Sequence, residues 1–269
     1  MILLACSEPP PPPAPERLEV VSLSRPVHWL VQRIAGDAVD ARCLLPEGED
    51  AGTWRPDAAT IASLSEADLL IANGAGFEAW TNTASLPRAR FVDTSADLDL
   101  LTREAVVHSH GADGKHSHGG VDPHTWMDPA LFAQQADAVH AALLAASPDQ
   151  AEALELGHGT TRLELDAIDS LLATSLQPWA TVPIATSHPT YSYLARRFGL
   201  HLRELDLDPA QPVTTEVYEP WLWWEVAPSD TARASVEGPK QLVFDSLEGE
   251  GVDWLAGMRA NIDALGEGP

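Results

Sequence analysis

Short apolar runs alternate with helix-like stretches along most of this chain, and that alternation restricts the fold more than any other feature of the sequence. Residues 18–23 (LEVVSL) read as a buried strand, after which Val27, Leu30, Val31 and Ile34 recur at helical spacing. Gly36-Asp37 closes that helix. Residues 39–45 read as a second strand, 57–67 as a short helix with Ile61 and Leu64 facing in, 69–72 as a third strand and 91–93 as a fourth. Residues 129–146 carry the clearest amphipathic helix. After Ser147-Pro148 a second helical stretch runs to Leu176, weakened at Gly157 and Gly159 by about 1 kcal/mol per glycine. The alternation then resumes with a strand at 182–185, a helix at 190–198, strands at 202–207 and 241–244, and a last helix at 255–265. Such alternation builds parallel sheets wrapped by helices. The expectation is an α/β chain of two lobes, each a mostly parallel sheet with flanking helices, joined by a long helical stretch. The lobes are expected at 17–147 and 177–269, with 148–176 between them. The stretch 208–240, with Trp221, Trp223 and Trp224, carries no pattern that places it.

Charge and cysteine usage narrow the function. Among 269 residues, 16 Lys+Arg stand against 40 Asp+Glu, a formal net charge of −24. A surface this negative repels phosphate backbones, which argues against nucleic acid as a partner. No apolar run approaches the roughly 20 residues of a membrane span. Two cysteines make neither a disulfide framework nor a Cys-rich zinc knuckle. Residues 3–6, Leu-Leu-Ala-Cys, have the form of a bacterial lipoprotein cleavage box with Cys6 as the lipidated residue. Only Met1 and Ile2 precede it, so the signal is expected to be truncated at its front. The prolines from Pro9 to Pro13 then favour a stiff polyproline II spacer. Residues 1–16 are therefore read as signal remnant and tether, and the protein as one held at the membrane surface, in the periplasm or on the cell surface. Cys43 is left as a small core residue.

Ten histidines are present, and His108, His110, His116 and His118 stand within one stretch, VVHSHGADGKHSHGG. It lacks hydrophobic periodicity and reads as an imidazole-rich loop, 108–119. Neutral imidazoles suit a borderline-soft ion such as Zn²⁺. Ordering a loop costs entropy, so this is expected to be a weak collecting site. His124, in VDPHTWMDP, precedes the strong helix, and His188, in ATSHPTY, follows a strand. Both occupy the element junctions where α/β proteins place ligands, but an isolated histidine there is more often a packed or capping residue than a ligand.

Four stretches together resemble a known family. They are LVQRIAGD at 30–37; LLPEGEDAGTWRP at 44–56 with SEADLLIANGAGFE at 65–78; the His-rich loop followed by DPHTWMDP; and SHPTYSYLARRFGL with the terminal FDSLEGEGVDWLAGMRANIDAL. In this order they resemble the periplasmic zinc/manganese receptors of ABC transporters (the ZnuA/TroA type). The resemblance implies metal ligands at His124, His188 and Asp245. It also implies a first histidine ligand in a Pro-Gly-x-x-Pro-His-x-Tyr/Phe-x-Pro pattern. Aligned on Trp54 and Pro56, that position falls on Gly52, which has no donor atom. Water, Asp50 or His28 are the alternatives for the empty corner. The implied function is capture of Zn²⁺, with Mn²⁺ less favoured, in an interlobe cleft by a monomer that delivers it to a membrane permease. Two other readings stay open. One is a zinc-dependent hydrolase, for which no HExxH is present and Glu78 is the one nameable base. The other is a metal-buffering surface adhesin without transport.

Overall fold

The computed structural model describes residues 17–103, 107–109, 115–117, 120–266 and 268–269. Its first sheet contains β1 (Leu18–Ser22), β2 (Val39–Cys43), β3 (Leu69–Ala72) and β4 (Phe91–Asp93), in the order β2-β1-β3-β4 with every neighbouring pair parallel. Helices cover the sheet, so Val20, Val21, Leu70 and Ile71 are fully buried and the strands read as unbroken apolar runs. Helix α1 (Arg25–Ala35) opens with Pro26, whose missing N–H is not needed in a first turn, and it stops at Gly36 with φ at 50°. Helix α2 (Ala58–Ser63) starts where the Asp57 carboxylate accepts the Thr60 N–H. It ends short of the expected Ala67 because residues 61–66 tighten into three-residue turns.

Beyond β4, β5 (Thr102–Arg103) pairs antiparallel with β8 (Gly120–Val121), and β6 (Val107–Ser109) with β7 (Lys115–Ser117). The His-rich stretch thus holds a short ladder, with His108 opposite His116, where the sequence reads as a loop. Cys6, His110 and His118 lie outside the described residues.

Two long helices follow. Asp128 caps α3 (Pro129–Ala146) by accepting the Ala130 N–H at 2.9 Å. A short connection then turns the chain back into α4 (Ala151–Leu176), about 39 Å long at 1.5 Å per residue. Leu154, Leu165, Ile168, Leu172 and Leu176 of α4 are fully buried. Gly157 has a packing reason: a Cβ there would meet the Ile34 carbonyl oxygen of α1 at 2.1 Å. At this glycine α4 lies directly against the α1 backbone.

The second sheet contains β9 (Pro183–Thr186), β10 (His201–Glu204), β11 (Trp221–Trp224) and β12 (Lys240–Val243), ordered β10-β9-β11-β12 and again all parallel. Helices α5 (Ser192–Phe198), α6 (Asp230–Ser235) and α7 (Trp254–Leu265) complete this lobe. The three tryptophans are therefore a strand. β11 is central, and Trp223 and Trp224 are fully buried, with Trp223 stacked on Phe244 at 5.0 Å. One continuous apolar core runs from Val20 and Leu30 of the first lobe through α3 and α4 to Trp223 and Met258 of the second. Cys43 is a free thiol packed against it. No helix among the described residues is long and apolar enough to cross a membrane.

Candidate metal centre

His124 sits in the loop between β8 and α3, only 2% exposed. Asn73, at the end of β3, holds that loop from beneath: its amide donates to the Pro123 carbonyl at 3.0 Å, and its carbonyl accepts from Gln135 at 3.1 Å and Thr125 at 3.3 Å. His124 Nδ1 lies 2.8 Å from Oδ1 of Asp122, which is wholly buried. A carboxylate in that position keeps the proton on Nδ1, leaving Nε2 as the lone-pair nitrogen. A carboxylate–imidazole pair of this kind fixes ring orientation and raises ligand basicity in metal sites.

The facing wall comes from the C-terminal ends of the second sheet, where open α/β sheets bind ligands. β9 leads into Ser187-His188, β11 into Glu225 and β12 into Phe244-Asp245. Strands lie about 4.8 Å apart, so Glu225 emerges between the other two. His188 is 1% exposed, and its ring centre lies 6.4 Å from that of His124, the rings 83° apart. Two imidazoles on one ion, with Zn–N bonds of about 2.0–2.1 Å, hold their ring centres about 5–6 Å apart, so a small adjustment closes the gap. Phe77 and Trp126 pack around His124 at 6.3 and 5.3 Å and keep bulk water from the rings.

Four carboxylates share this end of the molecule. Burial pushes the Glu248 carboxyl up to about 7; the His124 imidazole pulls it down, while Asp50 and Asp245 push it further up. Glu225 is buried and raised well above the usual carboxylate range, by burial first and then by the charge of Glu248, although Thr190 donates to it at 3.0 Å. Asp245 is raised by burial, and its Oδ1 accepts the Leu247 N–H at 2.7 Å. Like charges gathered in a poorly solvated place raise one another, and a divalent cation relieves that repulsion. A cavity of about 220 Å³ beside them is lined by Arg25, Asp50, Ala51, Phe77 and Glu248.

The sequence-derived candidates separate on this geometry. His124 and His188 face each other, and Asp245 acts on the same carboxylate group. Asp50 lines the cavity next to Glu248, with its Oδ1 accepting the Thr53 N–H at 2.9 Å. Gly52 is buried in the same turn. His28 approaches Ser22 at 3.4 Å and faces a different cavity with Cys43 and Gly251. Glu78, the candidate base for hydrolysis, accepts the backbone N–H groups of Asn73 and Gly74 at 2.9 and 3.2 Å and holds the turn after β3. Asp122, Glu225 and Glu248 were not singled out from sequence. Asp122 had a usable signal, a carboxylate two residues before the junction histidine.

Residues 20–219 match the family described as ZnuA, the periplasmic zinc-uptake complex component A. The chain belongs to this family. The high-affinity zinc uptake system protein ZnuA of Bacillus subtilis (strain 168) is 26% identical over 278 residues, spanning 93% of this chain and 87% of the relative. The manganese ABC transporter substrate-binding lipoprotein PsaA of Streptococcus anginosus is 22% identical over 279 residues, spanning 94% and 89%. The crystal structure of the Zn(II)-bound ZnuA-like domain of Streptococcus pneumoniae AdcA aligns with a TM-score of 0.76 at 21% identity, covering 93% of this chain and 97% of that one. At that identity the structure speaks for the fold: two parallel-sheet lobes joined by a long central helix. The ZnuA family is one of solute-binding receptors rather than of enzymes.

Proposed function

We propose that the protein captures Zn²⁺ between its lobes through His124, His188 and a carboxylate pair, Asp245 and Glu248, and hands it to an ABC permease in the membrane. The observation that carries this reading is the convergence of two buried imidazoles from different lobes beside carboxylates that burial has pushed upward. Glu248 is the candidate for the corner left by Gly52, because it lines the same cavity as Asp50 and Ala51 and lies close enough to His124 to interact with it electrostatically. Imidazole donors favour Zn²⁺ over Mn²⁺. Lobe motion is small in this reading: Trp126 donates to the Ser246 carbonyl at 2.7 Å, Trp254 to the Trp126 carbonyl at 3.2 Å and Tyr193 to the Asp122 carbonyl at 2.7 Å. An ion touching both lobes then selects the closed arrangement by differential affinity. The His-rich stretch raises the local supply of metal, and the lipid on Cys6 keeps the receptor at the membrane.

Calorimetric titration of the full chain tests the reading. His188→Ala should abolish high-affinity zinc binding, whereas deleting residues 108–119 should leave it. The opposite result, or tighter Mn²⁺ than Zn²⁺ in competition, overturns it. Gly52→His should tighten binding if the corner beside Asp50 and Ala51 is open to the ion.

A further inference from the structure

A second group of metal-ligating side chains lies away from the cleft, on the α3–α4 hairpin. α3 carries Asp137 and His140; α4 carries Glu155 and His158. Each helix thus presents a carboxylate three residues before a histidine, a spacing that puts both on one helix face. The same carboxylate-x-x-His spacing on facing helices builds metal sites in helix bundles. Because the helices run antiparallel, the two imidazoles meet in the middle with a carboxylate on either side. The donor atoms of His140, Glu155 and His158 all lie within 4.8 Å of one another. His140 Nε2 is 3.7 Å from Glu155 Oε1, and His158 Nε2 is 2.8 Å from Asp137 Oδ1. The rings stack at 4.2 Å, only 6° from parallel. His140 Nε2 is buried without a hydrogen-bond partner. A nitrogen left so is costly unless something binds it.

We propose that His140, His158, Glu155 and Asp137 form a second transition-metal site that takes Zn²⁺ and clamps α3 to α4. Tetrahedral bonds of about 2.0–2.1 Å set donor atoms about 3.3–3.5 Å apart, close to the His140–Glu155 separation. The stacked rings must splay so that both lone pairs converge on the ion, and the His158–Asp137 hydrogen bond is exchanged for coordination. Asp137 Oδ2 accepts from Arg162 at 2.5 Å, which leaves Oδ1 to face the metal and fixes the carboxylate from behind. His140 stands eleven residues into α3, roughly 16 Å along the axis from the helix end beside His124, so the two sites are independent. The ion here bridges a first-lobe helix to the helix that connects the lobes.

The experiment uses the full chain with the cleft and the His-rich stretch silenced by His124→Ala, His188→Ala and His→Ser at positions 108, 110, 116 and 118. Dialysis against Zn²⁺ followed by metal analysis should leave one equivalent bound, and Co²⁺ should give the visible absorption of a tetrahedral site. His158→Ala should remove both signals, and Glu155→Gln should weaken binding at least tenfold. In the otherwise unaltered chain, His158→Ala should lower zinc stoichiometry by one, a readout that does not depend on the silenced protein folding. A silenced, folded chain that holds no metal overturns the proposal, as does a stoichiometry that His158→Ala leaves unchanged. Either result reduces the cluster to a hydrogen-bonded surface pair, and neither touches the cleft assignment.

Discussion

Among the described residues, two pairs of histidine rings are built on opposite plans. In the cleft, His124 and His188 come from loops of different lobes, are almost wholly buried and meet edge to face at 83°. On the helix hairpin, His140 and His158 come from regular helices, are partly exposed and stack 6° from parallel. The difference lies in what holds each ring. In the cleft, His124 is oriented by the buried Asp122 carboxylate and its loop is held by an amide network, so that half of the site is arranged before any ion arrives. The hairpin pair is held by rings that must first separate. Preorganisation lowers the cost of binding, so the cleft should bind tightly and the hairpin more weakly.

The largest expected effect sets the pairs against each other. Four-ligand zinc sites have apparent free energies of about 10–16 kcal/mol, or about 3 kcal/mol per ligand. His188→Ala should therefore weaken the tight zinc event over a hundredfold, while His158→Ala leaves that event unchanged. Calorimetry on both variants checks this. Equal losses would erase the distinction between the pairs.

Next in size is the group that orients a cleft ring. Asp122→Asn keeps the shape but loses the charge that holds the proton on Nδ1 of His124. Partners of this kind cost roughly 10–100-fold in metal affinity when replaced. The loss should appear in zinc affinity with the fold intact by circular dichroism. A variant that binds like the parent would mean that the loop geometry alone orients the ring.

How much of this was legible follows from what each residue type signals. The bounds of α3 and the end of α4 agree with the sequence pattern because length, helix-forming residues and a Pro start all point the same way. His124 and His188 stand at element junctions, but it is the family resemblance, not that placement, that makes them ligand candidates. β11 was not legible, because a four-residue apolar run such as Trp-Leu-Trp-Trp does not by itself separate a buried strand from a buried helix segment, and the long stretch around it gave no bounds. With β11 unplaced, Glu225 at its end had no location. Glu248 lay in Leu-Glu-Gly-Glu-Gly, a run that looks like a solvated acidic turn. Gly157 read as a weak point in a helix because its neighbour, the Ile34 carbonyl, lies over a hundred residues away in sequence.

The carboxylates of the cleft give the metal-free protein a pH test whose sign is opposite to the hairpin's, where burial lowers the His140 pKa. Glu248 has an ordinary value of 4.5 but is pushed up to about 7 in the fold. Between those values the unfolded chain has released this proton and the folded chain retains it. The metal-free protein should therefore lose stability as pH rises from about 4.5 through 7, and Glu225 adds to the loss with the same sign. Zinc affinity should rise over the same interval, since the ion competes with that proton. Thermal melts of the metal-free protein at pH 5 and 8 check the first part, and Glu248→Gln should flatten the slope. A metal-free protein that gains stability across this interval would remove Glu248 from the cleft's charge balance.

The smallest expected effect belongs to the hairpin and separates two neighbouring glycines. A Cβ on Gly159 meets nothing within 4 Å, so Gly159→Ala should gain the helix propensity of alanine, about 1 kcal/mol. For a chain of this size that is a rise of roughly 2–4 °C in Tm. At Gly157 the same change drives a methyl group into the Ile34 backbone, and overpacking of this kind costs about 1–3 kcal/mol. Gly157→Ala should therefore lower Tm by a few degrees, although both substitutions flank His158 and both improve the helix on propensity alone. Zinc affinity of the cleft should stay unchanged in both. A shared rise in Tm would mean that α4 does not press on α1 at this point. The hairpin would then be a softer support for its stacked rings than the close crossing implies.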